Sequence, residues 1–98
     1  MSLEQLTIDA FSDKVGHVFV IEEPDHPAIE LTLIEASPLR NYAKLKREPF
    51  SLFFTSQSSG VLPQRLYALR HAVLGLHSIF LVPIAGNNEN VTYQAVFN

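Results

Sequence analysis

Four histidines, His17, His26, His71 and His77, are the side chains of this sequence best suited to metal or acid–base chemistry. His71 and His77 flank a tight Leu74-Gly75 turn, so both can approach one ion, with His17 arriving from a neighbouring strand. A metal site needs three or four ligands at defined distances, and no His-x-Glu-x-x-His or comparable spacing occurs. The competing role is structural: His71 ends a strand, packs its ring and hydrogen-bonds turn backbone through a ring nitrogen. The spacing favours that role. No metal ligand, catalytic residue or cofactor-binding residue is therefore assigned, and no cofactor is implied.

Other catalytic arrangements find little support. There is no Gly-x-Ser-x-Gly elbow to expose a serine nucleophile. Glu22-Glu23 and Glu30-Glu35 are the carboxylate pairs, but adjacent residues of a strand point to opposite faces, which separates Glu22 from Glu23. Solvated edge charge is the expected role of these acids. The four glycines are isolated, so no phosphate-cradling loop exists. Cysteine is absent, which excludes disulfides, thiolate-bound zinc and iron–sulfur clusters.

Two clusters remain. Arg40, Lys44, Lys46 and Arg47 surround Tyr42 in a polar connection, and they are the candidate partner-binding residues. Such a group can meet an acidic protein surface, grip phosphate or stack a base, but four charges on a short loop are most often a solvated connection, and that reading is preferred to any contact. Protein contact is preferred to nucleic acid because the net charge is −3. Phe50, Phe53, Phe54, Tyr67, Phe80, Tyr93 and Phe97 can line a cavity, although a barrel of this size is ordinarily filled by its own side chains.

The elements that must position these groups read as one domain over residues 1–98, which are 47% hydrophobic. A chain of this size buries roughly 60–70% of its unfolded surface and holds a core without staples. The first residues carry no basic and apolar leader, and the longest apolar run, 79–85, is far short of the ~20 residues that span a bilayer. A cytoplasmic protein is expected, and Asn90-Val91-Thr92 is read as a chance match to a glycosylation site. Charge is uneven: residues 1–35 carry eight acids against Lys14, a net −7, and residues 36–98 carry a net +4. Either the halves form a polar molecule that associates head to tail, or they pair within one fold; pairing is the preferred expectation.

Thr7 caps an expected short helix running to about Lys14, ended by Gly16. His17 to Glu23 reads as a strand and Asp25-His26-Pro27 as a turn. Ile29, Leu31 and Leu33 alternate with polar residues, then the parity flips, which predicts a β-bulge near Leu33-Ile34. Phe50 to Thr55 is a strand, with Ser56 to Gly60 a loop. Residues 62–76 are ambiguous. Leu62, Leu66, Leu69, Val73 and Leu76 recur at helical spacing and local propensity favours a helix, whereas Tyr67, Leu69 and His71 alternate as in a strand. Gly75 suits either a helix cap or a turn. Residues 78–85 and 91–98 form a hairpin about a Gly-Asn-rich loop, with Pro83 at an edge or a bulge.

Phe50-Ser51-Leu52-Phe53-Phe54, Gln64 with Tyr67-Ala68-Leu69-Arg70-His71, Leu74-Gly75, Phe80-Leu81-Val82-Pro83 and Tyr93-Gln94-Ala95-Val96-Phe97-Asn98 follow one another in an order that resembles a family of short bacterial proteins of unknown function, sometimes encoded beside phage-tail-collar-like proteins. The resemblance runs from Phe11 to Asn98 and implies a strand at Arg65 to Arg70. It carries over no catalytic residue. Tyr67, His71 and Gly75 are assigned structural roles.

The expected fold is mainly β (α+β): a small antiparallel barrel or two-layer sandwich of about six strands with a short N-terminal helix. The leading function is a non-enzymatic structural or protein-interaction module, an accessory of a phage-tail-like assembly. Self-association is expected, most simply as a dimer through an apolar strand edge, since Val96 breaks the polar face of the last strand. The alternatives are a small-ligand-binding β-barrel, recognised by a cavity, and an enzyme with dispersed catalytic residues around His71, recognised by a pocket holding a perturbed carboxylate.

Overall fold

The computed structural model describes residues 5–24, 27–57, 60–87 and 89–98. Its elements are α1 (Ile8–Ser12), β1 (Val18–Ile21), β2 (Ile29–Pro38), β3 (Phe50–Ser56), β4 (Arg65–His71), β5 (Gly75–Gly86) and β6 (Val91–Phe97). The six strands close into an antiparallel barrel in the order β1-β2-β3-β6-β5-β4, so the barrel alternative is the correct one and not the sandwich.

Local pattern accounts for most of the pleat. In β2 the register with β3 shifts between Leu33 and Glu35, which leaves Ile34 as the extra residue of a bulge. Leu31 and Leu33 therefore face the interior, and beyond the bulge Ala36 packs inward instead. A second register shift lies at Pro83/Ala85 between β5 and β6, where a residue without an N–H costs least.

One ambiguity is resolved and two expectations are corrected. Residues 65–71, open between helix and strand by local pattern and implied to be a strand by the resemblance, form β4: Tyr67, Leu69 and His71 are buried, while Leu66, Val73 and Leu76 of the helical stripe are exposed. Pairing with β5 over the whole of β4 and with β1 at Leu69 and Arg70 outweighs local helix propensity. The helix ends at Ser12, and Thr7 occupies its N-cap without a side-chain bond. The last strand is not an edge, since β6 pairs with β3 throughout and with β5 from Val91 to Gln94. Asp25 and His26 of the expected turn, and Ser58 and Ser59 of the expected loop, lie outside the described residues.

The interior is filled. Phe50 and Phe97 stack with ring centroids 4.7 Å apart, Phe11 of α1 packs on both at 5.7 Å, and Phe19 meets Phe54 edge-on. Helix α1 thus plugs one end. The other end is crossed by the β3–β4 connection, held by two interior tyrosines: Tyr93 Oη accepts from the Leu62 amide at 2.9 Å, and Tyr67 donates to the Pro63 carbonyl. Each of these large apolar side chains contributes about 1.5–3 kcal/mol by burial.

The acidic and basic halves meet in the fold. Glu22 pairs with Arg70, and Glu23 pairs with Arg65 at 3.2 Å, joining β1 to β4 on the surface. Glu23 also accepts from the Ala68 amide.

Candidate functional site

Antiparallel connectivity brings α1, the start of β1, the β2–β3 loop, the β4–β5 turn and the C-terminus to the same end of the barrel. The basic cluster at Arg40, Tyr42, Lys44, Lys46 and Arg47, with His17, His71, Gly75 and His77, lies there.

His71 sits at the end of β4 and is only 4% exposed. Its Nδ1 accepts from the amides of Val73 (3.0 Å) and Leu74 (3.2 Å), which fixes the turn. Gly75 then starts β5 at φ +84°, a left-handed conformation that a side chain would resist. The Nε2 of His71 lies 2.9 Å from Nδ1 of His17, and its ring packs on Phe19 at 4.6 Å. Burial first, then His17 and Lys14, hold the His71 pKa below the ordinary imidazole range, with Asp13 opposing. Both nitrogens of His71 are committed, so it has none left for a substrate. His77 instead donates to the Leu74 carbonyl at 2.7 Å. Among the described residues no three His, Asp or Glu side chains converge to hold a metal ion. Asp13 is the nearby carboxylate, exposed at the surface, its pKa lowered chiefly by its hydrogen bond to Lys14.

The basic cluster divides in two. Arg47 turns inward. Its guanidinium donates to the Leu6 carbonyl (3.0 Å) and to the Asn98 carbonyl (2.7 Å), and lies over Phe50 and Phe97 at 5.9 and 5.8 Å. It ties the segment before α1 and the residue after β6 to the β2–β3 loop.

Arg40, Tyr42, Lys44 and Lys46 project outward on residues 39–49, whose ends are joined by a Leu39 amide to Pro49 carbonyl bond of 2.9 Å. Asn41 clasps the loop through Leu45, accepting its amide at 2.7 Å and donating to its carbonyl at 2.9 Å. Lys44 takes a left-handed conformation at φ 53°, which a non-glycine residue adopts at a cost of roughly 1–2 kcal/mol. Arg40 donates to the Tyr42 hydroxyl at 3.3 Å, and the Tyr42 side chain stands 82% exposed. Among the described residues Arg40, Lys44 and Lys46 form no ion pair, unlike Lys14, Arg65 and Arg70. The sequence marks this cluster by composition. The Asn41 clasp that shapes it depends on a four-residue reach that composition does not reveal.

Two surface depressions lie near the opposite end. One is lined by Ile21, Glu22, Glu23, Pro24 and Ala28. The other, running from Pro27 to Glu30 with Val20, Ser56 and Gln57, is likewise open to solvent. Of the seven candidate cavity aromatics, Phe50, Phe54, Tyr67, Tyr93 and Phe97 fill the core, Phe53 is half-buried, and Phe80 points out.

Residues 6–97 match the family described as Domain of unknown function (DUF6916). The chain belongs to this family. Its span runs from Leu6 to Phe97, the first and last residues of the buried core, so the DUF6916 unit is the whole barrel with its α1 plug. No curated protein and no solved structure matches the chain.

Proposed function

We propose that this DUF6916 domain is a non-enzymatic structural or protein-interaction module, and that residues 39–49 are its binding element for an acidic protein surface. The carrying observation is the shaped loop: the Asn41 clasp and a left-handed Lys44 hold Tyr42 outward beside three cations without ion-pair partners among the described residues. Backbone strain of this kind persists where surrounding bonds impose it, and it concentrates at functional loops. Tyrosine and arginine are also the side chains that dominate protein interfaces. The filled core and the doubly bonded His71 favour binding over catalysis or ligand storage.

The resemblance to bacterial proteins encoded beside phage-tail-collar-like proteins makes a subunit of a tail-like assembly in the bacterial cytoplasm the first partner to test. Self-association as a homo-oligomer, most simply a dimer, belongs to the same proposal. A photo-crosslinking amino acid at position 42, with position 61 near the opposite end as control, tests the loop in the producing cell. A discrete protein adduct specific to position 42 and lost in Lys44→Glu/Lys46→Glu is expected. Equal labelling from both positions, or none from 42, overturns the proposal.

A further inference from the structure

The outer face of β4 and β5 carries exposed large apolar side chains in facing pairs. Leu66, 56% exposed, stands directly opposite Phe80, 45% exposed. The next outward pair is Ala68 with Ser78, and the one beyond it is Arg70 with Leu76, the latter 49% exposed. Large, small and large pairs thus succeed one another, making an apolar ridge beside a shallow hollow. From residue 71 to residue 88 the sequence contains no Asp, Glu, Lys or Arg. Arg70 at the rim is already paired with Glu22. By contrast, β2 presents Glu30, Thr32, Glu35 and Ser37 on its outer face. Contiguous exposed apolar side chains rimmed by polar ones mark contact surfaces.

We infer that this face binds the same face of a second copy of the chain. The ridge and hollow lie one outward pair apart. A two-fold axis between them sets Phe80 and Leu66 of each copy over Ala68 and Ser78 of the other, a self-complementary contact of the kind a symmetric dimer requires. Two sheets meeting in this way pack about 10 Å apart with interdigitated side chains. The chain carries a net charge of −3, so two copies repel on average, and an uncharged patch is where they approach at least electrostatic cost. A strongly charged partner gains nothing from such a surface. This inference rests on the self-association proposed above and supplies its surface.

Sedimentation of the full chain from about 5 to about 500 µM reads the equilibrium directly. A monomer–dimer equilibrium is expected that persists or tightens as salt is raised, because apolar contact is not screened. Phe80→Glu should weaken it by about tenfold or more, and Ser78→Arg, which fills the hollow, by a similar factor. Both positions are exposed, so the circular dichroism melt should be retained. Val73→Glu, on the turn beyond the ridge, should leave the dimer intact. A monomer at every concentration overturns both self-association and this surface. A dimer unchanged in both Phe80→Glu and Ser78→Arg overturns the surface alone.

Discussion

The imidazoles of His17 and His71 are nearly coplanar, at 6°, and joined edge to edge by a 2.9 Å hydrogen bond. Their centroid separation of 5.2 Å is that bond plus one ring radius on either side. Because His71 Nδ1 accepts two turn amides, its proton is on Nε2, which donates to His17 Nδ1; His17 therefore carries its proton on Nε2. Protonating His71 at Nδ1 breaks the turn bonds.

The pH dependence follows from that constraint. The folded pKa of His71 lies below the ordinary value near 6.5, so the unfolded chain takes up a proton first as pH falls. The stability contributed is complete above that value and is lost as pH falls through the lowered folded value. Urea unfolding at pH 7.5 and pH 5 should show the wild-type midpoint falling with acid. The fall should be smaller in His71→Asn, and an equal fall in both proteins would contradict the constraint.

Arg47 should separate from its cationic neighbours in stability. Arg47→Ala removes two charge-assisted bonds to backbone carbonyls and the cover over Phe50 and Phe97, and should cost about 1.5–3 kcal/mol. Lys44→Ala and Lys46→Ala should stay within about 0.5 kcal/mol of wild type, as exposed substitutions do. Equilibrium denaturation of the three variants makes the comparison.

Phe97→Ala should be among the most damaging substitutions of the last strand. The ring is buried, stacks on Phe50 and touches Phe11, so its loss opens a cavity where helix, β3 and β6 meet. A cost of about 3–5 kcal/mol is expected. A thermal melt unchanged by the substitution would place Phe97 outside the core.

Gly75→Ala tests the turn that His71 holds. Nothing lies within 4 Å of an added Cβ, so the cost is conformational alone, about 1–2 kcal/mol for the left-handed backbone. Gly75→Asn should cost less, since asparagine tolerates that conformation. Equal melting temperatures for wild type and Gly75→Ala would argue against the positive φ.

Sequence by itself determined what a period of two can encode. The flip in parity after Leu33 located the β2 bulge, and the alternation from Val91 to Phe97 located the last strand, because each records which face of a local pleat is buried. The composition of residues 40–47 marked the cationic loop, and His71 was readable as a turn-bonding ring. Tertiary structure decided the rest. Residues 65–71 carry both helical propensity and the strand alternation of Tyr67, Leu69 and His71, and ladders with β5 and β1 decide between them, because local pattern does not record a distant partner. The same holds for His17 beside His71, for Glu22 and Glu23 beside Arg70 and Arg65, and for Arg47 bonded to Leu6 and Asn98. Each of these contacts joins groups more than 40 residues apart, and only the barrel's hydrogen-bonded register brings them within reach.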